Sequence, residues 1–246
     1  MISTQVAVVG GGPGGYAAAF LAADLGLRVA LVDPEASPGG VCVYRGCIPS
    51  KALLHVAKLV NESRHAKAWG VEFGEPRIDL DKLRAFKNAV VGRLTSGTGQ
   101  LVKHRKVRYL QGRAAIVDKN KLQIALKDAR GKVSEERVQF EHAILATGSR
   151  PVSVASLALD SDRVWDSTMA LDLPRVPKTL LVVGGGYIGL ELGSVYATLG
   201  SQVTIVEMTA GLLPGADRDL VDVLAKRIGQ TVKAILLNTK VARMTA

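Results

Sequence analysis

Cysteine, histidine, aromatic residues and acidic charge are all scarce in this chain, and each scarcity closes a route. Two cysteines and four histidines among 246 residues cannot build a disulfide framework or a four-cysteine zinc site. A redox pair, free thiols or a mixed metal site remain. Aromatic residues make up 4%, and none interleaves with the basic residues to form a stacking platform for nucleic acid. Lys and Arg outnumber Asp and Glu by 32 to 22, mostly in residues 1–123, which hold 18 basic against nine acidic residues. The densest run, Lys103, His104, Arg105, Lys106 and Arg108, reads as a solvated helix end and not as a nucleic-acid or membrane patch. No basic segment precedes an apolar core at the N-terminus, so a secretory signal is not expected and a cytoplasmic location is. Hydrophobic residues at 48% and charged residues at 22% exclude disorder, and the length suits one large domain or two ordinary ones.

Long uncharged runs are present. Gln5 to Ala23 carries no charge, and Thr179 to Gly200 carries Glu191 alone. Each is broken after a short apolar stretch, by Gly10-Gly11-Gly12-Pro13-Gly14-Gly15 and by Gly184-Gly185-Gly186. A buried strand, a glycine turn and a helix account for both without a membrane span.

The two runs share one grammar. Val6-Ala7-Val8-Val9 leads into Gly10-x-Gly12-x-x-Gly15, a helix to about Gly26, and a strand Val29-Ala30-Leu31-Val32 closing on Asp33. Leu180-Leu181-Val182-Val183 leads into Gly184-x-Gly186-x-x-Gly189, a helix to Gly200, and a strand Val203-Thr204-Ile205-Val206 closing on Glu207. From first glycine to closing acid is 23 residues both times. This is the dinucleotide-binding fingerprint: a tight turn, a close approach of pyrophosphate to backbone, close helix–strand packing, and an acid for the ribose hydroxyls. Two nucleotides are therefore expected. Glu207 would repel a 2′-phosphate, and the next arginine is Arg218, so the second nucleotide is expected to be NAD and not NADP.

Both cysteines lie in Gly39-Gly40-Val41-Cys42-Val43-Tyr44-Arg45-Gly46-Cys47-Ile48-Pro49-Ser50-Lys51. Ala52, Leu53, Val56, Leu59 and Val60 then keep helical spacing, with Pro49 tolerated in the first turn. Cys47 thus opens a helix, where the dipole favours a thiolate, and Lys51 stands one turn in. Two cysteines five apart, flanked by glycines and following a nucleotide unit, are poor candidates for simple core packing. No ligand spacing suggests zinc, and no metal is expected.

These residues closely resemble the flavin-dependent pyridine nucleotide–disulfide oxidoreductases. Ile48-Pro49-Ser50-Lys51 with Ala52-Leu53-Leu54-His55 looks most like the members that oxidise dihydrolipoyl groups. The resemblance runs through Ala146-Thr147-Gly148-Ser149-Arg150-Pro151, Val164-Trp165-Asp166-Ser167-Thr168, Glu191, Pro214-Gly215-Ala216-Asp217 and Thr239-Lys240-Val241, essentially the whole chain. It implies an α/β fold of two Rossmann-like dinucleotide-binding domains, both incomplete, the first with a small antiparallel β-meander. Residues 1–150 would be the first segment of an FAD-binding domain, and residues 151–246 an incomplete NAD-binding domain beginning with a proline-punctuated linker at 151–178.

The resemblance also implies roles. FAD would lie on Gly10, Gly12, Gly15 and Asp33, with Gly40, Val41, Lys51, Ala114, Thr147, Gly148 and Ser149 as further contacts. NAD would lie on Gly184, Gly186, Gly189, Glu207 and Val241. Cys42 and Cys47 would form the redox disulfide, Cys42 exchanging with substrate and Cys47 facing the flavin. Lys51, paired with Glu191, would stand at the reactive flavin edge. Electrons would pass from dihydrolipoyl thiols to the disulfide, to FAD and to NAD. Partners would be the lipoyl groups of 2-oxoacid dehydrogenase complexes or of the glycine cleavage system, and a homodimer is expected for the full-length family.

Two departures stand out. Tyr44-Arg45 replaces the usual Asn-Val or similar between the cysteines; the added cation would lower a thiol pKa, or Tyr44 would crowd the flavin. Family members are also nearly twice as long, adding a returning flavin segment and an interface domain with a His–Glu base. His55, His65, His104 and His142 match no such context, and an N-terminal fragment is the expectation. Two other readings stay open: a glutathione- or mercuric-reductase-like enzyme, and a catalytically inactive nucleotide-binding protein.

Overall fold

The computed structural model describes residues 1–127, 133–152, 154 and 157–245. Gly131, expected at a turn, lies outside the described residues. In chain order the elements are β1 (Ile2–Val9), α1 (Pro13–Asp24), β2 (Val29–Asp33), α2 (Gly40–Arg45), α3 (Cys47–His65), a 3-10 turn at Ala66–Trp69, α4 (Leu80–His104), β3 (Arg108–Asp118), β4 (Lys121–Lys127), β5 (Val133–Leu145), α5 (Ser167–Leu171), β6 (Thr179–Val183), α6 (Tyr187–Thr198), β7 (Gln202–Val206), α7 (Arg218–Gly229) and β8 (Ala234–Leu236). Both uncharged runs divide into strand, turn and helix. Among the described residues no helix is long and apolar enough to cross a membrane.

The chain forms two compact units, Met1–Ile48 with Ala89–Arg150, and Pro49–Asn88 with Pro151–Ala246. Residues 49–88, read in the sequence with the first segment, therefore pack with the second.

In the first unit β3, β2, β1 and β5 form a parallel sheet in that order. β2 is buried along its whole length, which is why Val29-Ala30-Leu31-Val32 is uninterruptedly apolar. β4 runs antiparallel between β3 and β5 and closes the ring. Gly112 marks a change of partner: β3 pairs with β2 up to Gln111 and with β4 from Gly112 onward. A Cβ at Gly112 would strike the carbonyl oxygen of Ala125.

Alternation along β1 and β2 builds two cores. Val6, Val8, Val29 and Leu31 face Ala19 and Phe20 of α1 and Val102 of α4. Ala7, Ala30 and Val32 face Leu122, Ile124, Val138 and Phe140 inside the ring. The alternating residues 133–138 and the apolar run from Ala143 to Ala146 read in the sequence as two separate short strands, but residues 133–145 are one 13-residue strand, β5. Its first part pairs with β4 and its second with β1.

The second unit holds a parallel sheet ordered β6-β7-β8. Val203 and Ile205 of β7 pack with Leu190, Val195 and Tyr196 of α6, Val221 and Ile228 of α7, and Leu53 and Ala57 of α3. The stretch expected as a linker contains α5, whose N-cap Asp166 accepts a hydrogen bond from the Met169 N–H at 2.8 Å.

Candidate functional sites

Each glycine of the first turn has a separate reason. Gly10 sits at φ +104°, a conformation that L side chains rarely adopt, and a Cβ there would strike the Ala146 carbonyl. A Cβ at Gly15 would strike the Gly10 carbonyl, so only glycine lets α1 pack so closely on its own turn. Gly11, which the fingerprint leaves unspecified, is constrained too: a Cβ would come within 2.9 Å of the Asp33 Cβ.

Gly12 differs. Its backbone is ordinary (φ −69°, ψ −179°), and a Cβ would meet nothing in the chain nearer than Gly40 Cα at 3.8 Å. Neither strain nor crowding demands glycine there. Glycine there leaves the backbone open at the head of α1, whose N-cap carries no side-chain hydrogen bond and whose first turn carries no acid. A pyrophosphate fits that cradle.

The second turn repeats the device. Gly184 sits at φ +109°. A Cβ at Gly189 would come within 2.5 Å of the Gly184 carbonyl oxygen, and one at Gly185 within 3.1 Å of the Glu207 side chain. Gly186, with ordinary backbone angles, would meet nothing within 4 Å. The head of α6 likewise has no side-chain cap and no acid in its first turn.

Both closing acids are buried and both lock the turn. Asp33 Oδ2 accepts from the Gly11 N–H at 2.6 Å, and Oδ1 from the Glu35 N–H at 2.9 Å. Glu207 Oε2 accepts from the Gly185 N–H at 2.7 Å, and Oε1 from both the N–H and the hydroxyl of Thr209, each at 2.7 Å. The donors of Thr209 and Gly185 hold the Glu207 carboxyl below the usual range, so it is ionised at neutral pH. Of about four acceptor sites on each carboxylate, Asp33 keeps two and Glu207 one for further donors.

The cysteine segment is tied to the first turn. The Gly39 N–H donates to the Gly11 carbonyl at 2.7 Å, and a Cβ on Gly40 would come within 2.5 Å of Gly12 Cα. Val41 and half-buried Cys42 lie in α2, and Gly46 separates that helix from exposed Cys47, the first residue of α3. Tyr44 donates its hydroxyl to the Ser37 carbonyl at 3.0 Å, and burial raises its pKa. Arg45 pairs with Glu35 at 2.6 Å. The two unusual residues between the cysteines are thus anchored on the loop after β2.

In the second unit Lys51 Nζ donates to Glu191 Oε1 at 2.6 Å, the pairing the resemblance implies. Ser50, buried and unassigned in the sequence, donates to Glu191 Oε2 at 3.0 Å. Two successive residues of the first turn of α3 therefore hold one carboxylate.

Of the remaining expected residues, Thr147 lies beside the first turn, its Cα 3.2 Å from where a Cβ on Gly10 would stand. Ala114 pairs with Ile124 across β3 and β4. Thr147, Gly148 and Ser149 follow β5 in exposed, irregular chain, with Gly148 at φ +73°. Val241 lies in irregular chain after β8, partly buried. Among the described residues no cluster of three or more His, Cys, Asp or Glu is placed to hold a metal ion. Thr209 was missed in the sequence; a hydroxyl two residues after the closing acid was the available signal. Arg218 was noted only as the next arginine. Its guanidinium donates to the carbonyls of Leu212, Leu213 and Ala216 at 2.6–3.0 Å.

Two glycine turns are each closed by a buried acid, and the segment that carries both cysteines is tied to the first; this is the arrangement expected of the pyridine nucleotide–disulfide oxidoreductase class. Residues 4–246 match the pyridine nucleotide-disulphide oxidoreductase family, and the chain belongs to it. It is similar to the dihydrolipoyl dehydrogenases of Haemophilus influenzae (48% identity over 245 residues) and Vibrio parahaemolyticus (45%). Each alignment covers 100% of this chain and 50% of the relative, so the chain spans about half the length of these curated relatives. Among solved structures it resembles the HOCl-induced flavoprotein disulfide reductase RclA of Escherichia coli, as its Cu(II) complex. The TM-score is 0.81 and the identity 29%, over 100% of this chain and 51% of that one.

Proposed function

We propose that this protein oxidises dihydrolipoyl groups to the lipoyl disulfide and reduces NAD, with FAD held by residues 1–150 and NAD by residues 151–246. The observation that carries the reading is the double tether of the cysteine segment to the first turn, Gly39 to Gly11 and Gly40 against Gly12. A thiol pair bound to a dinucleotide turn is placed for electron exchange with whatever that turn holds. The 48% identity to a dihydrolipoyl dehydrogenase supports this substrate class.

In this reading Gly10, Gly12 and Gly15 with the head of α1 receive the FAD pyrophosphate, and Asp33 accepts from the adenosine ribose. Gly40, Val41, Ala114, Thr147, Gly148 and Ser149 complete the contacts. Bound flavin supplies two-electron transfer between thiols and nicotinamide. Cys42 and Cys47 form the disulfide that a substrate thiolate opens at Cys42, with Cys47 leaving as thiolate; the second substrate thiol then displaces Cys42, and both electrons rest on the cysteine pair. Lys51, fixed by Glu191, is the cation assigned to the flavin edge. Gly184, Gly186, Gly189, Glu207 and Val241 receive NAD. The lipoyl groups belong to 2-oxoacid dehydrogenase complexes or the glycine cleavage system, in the cytoplasm, and a homodimer is the state expected of the full-length family.

Purified protein is expected to show a bound-flavin spectrum and to reduce NAD when given dihydrolipoamide. Cys42→Ser and Cys47→Ser are each expected to keep the flavin and abolish dithiol-driven turnover. Protein that binds no flavin, or whose activity survives both substitutions, would overturn the reading.

A further inference from the structure

The loop that follows β7 is built around one carboxylate and one guanidinium, and both are committed. Thr209 gives Glu207 Oε1 two donors, its N–H and its hydroxyl. The hydroxyl oxygen also lies 2.9 Å from the Gly211 carbonyl. A hydroxyl has a single proton, and pointing it wholly at Gly211 would set an oxygen lone pair against an anionic oxygen 2.7 Å away. The proton therefore serves Glu207. Arg218, the loop's one cation, directs four of its five N–H donors to the carbonyls of Leu212, Leu213 and Ala216, which holds the guanidinium on the backbone. Asp33 at the first turn accepts, among the described residues, from the N–H groups of Gly11 and Glu35 and from no hydroxyl.

We propose that Thr209 is a positioning residue for nucleotide selectivity: its hydroxyl fixes Glu207 as an ionised ribose acceptor, and with Arg218 locked to the backbone the loop rejects a ribose 2′-phosphate. The inference rests on the proposal that the second turn holds NAD. It adds a residue that no part of the glycine fingerprint specifies. An anion already satisfied by three donors cannot swing away to admit a phosphate without breaking them, whereas an anion held only by N–H groups has one restraint fewer.

The test is equilibrium binding of NADH and NADPH to the intact protein, with Thr209→Val, which keeps the shape and removes the hydroxyl, and Thr209→Ser, which restores it. The expected result is a ratio of NADPH to NADH dissociation constants lowered by roughly threefold to tenfold in Thr209→Val and recovered in Thr209→Ser. A second readout is the pH dependence of that ratio. In Thr209→Val selectivity should begin to fall at a higher pH than in the wild type, because the Glu207 carboxyl moves back toward its ordinary range. Thermal unfolding of each variant identifies any that has lost its fold, and for such a variant Thr209→Ser alone carries the comparison. If the wild type selects NADH and Thr209→Val matches it in both ratio and pH profile, or Thr209→Ser behaves as Thr209→Val, the role of Thr209 is wrong and the NAD site stands. If the wild type binds neither nucleotide, the NAD reading fails and takes this inference with it.

Discussion

The two glycine turns are the same device with different attachments. In each, a glycine at positive φ makes the corner, a third glycine lets the helix press on the turn's own carbonyl, and a buried acid accepts from the middle glycine's N–H. Even the outer support matches: the middle glycine's carbonyl accepts from Gly39 in the first turn at 2.7 Å and from Leu213 in the second at 3.0 Å. The difference lies in what the supporting loop does next. After β2 it becomes the cysteine-bearing α2, pressed on Gly12. After β7 it becomes a loop in which Thr209 holds the Glu207 carboxylate and Arg218 holds backbone carbonyls. One turn is tied to the segment that carries both cysteines, and the other to a loop that holds its closing acid through Thr209.

The comparison is broken most severely at the third glycines. Gly15→Ala drives a methyl group onto a backbone carbonyl that has nowhere to go, and its cost should reach or exceed the upper end of the roughly 1–3 kcal/mol typical of overpacking. Gly189→Ala, with a looser approach to the Gly184 oxygen, should cost less. Urea unfolding of the two variants checks that order; equal costs would mean that the packing of the two turns does not differ as described.

A smaller effect concerns the acid. The Glu207 carboxyl is held below the ordinary glutamate value of about 4.3. A carboxyl lowered on folding contributes stability that is fully present above its unfolded value and is lost as pH falls through the lowered one. Wild-type protein should therefore lose stability between roughly pH 5 and pH 3 more steeply than Glu207→Gln. Denaturant midpoints across that range give the answer, and parallel curves would show that the three donors do not favour the anion.

The smallest effect is at the unusual residue between the cysteines. The Arg45–Glu35 pair is exposed, with 42% of the arginine side chain accessible, so Arg45→Gln should change stability by no more than about 0.2–1 kcal/mol. A thermal melt displaced well beyond that would mean that Arg45 supports α2 through more than an ion pair.

Legibility followed sequence distance. The two strand–turn–helix–strand units were readable because each is local: apolar runs of strand length, glycines at fixed offsets, and an acid 23 residues on. The membership of α3 was not. Leu53 and Ala57 show helical spacing, but only the fold shows them packing with Leu190 and Tyr196, more than 130 residues away. β5 was hidden for a related reason. Glu135, Glu136, Arg137 and Glu141 interrupt its apolar pattern, because one strand serves a half-exposed antiparallel pair and then a parallel sheet. The cysteines and the Lys51–Glu191 pair were legible from a family motif, whereas Ser50 and Thr209 act through hydroxyl bonds that leave no periodic trace.

The central claim is that the two turns hold different nucleotides independently, and Gly12→Ala beside Gly186→Ala tests it most directly. Both positions have ordinary backbone angles and room for a methyl group in the fold itself, so both variants should stay folded. Flavin content and NADH affinity, measured on the same preparations, should separate: Gly12→Ala loses flavin and keeps NADH binding, and Gly186→Ala keeps flavin and loses NADH binding. Folded variants that lose both nucleotides together, or neither, would contradict the account.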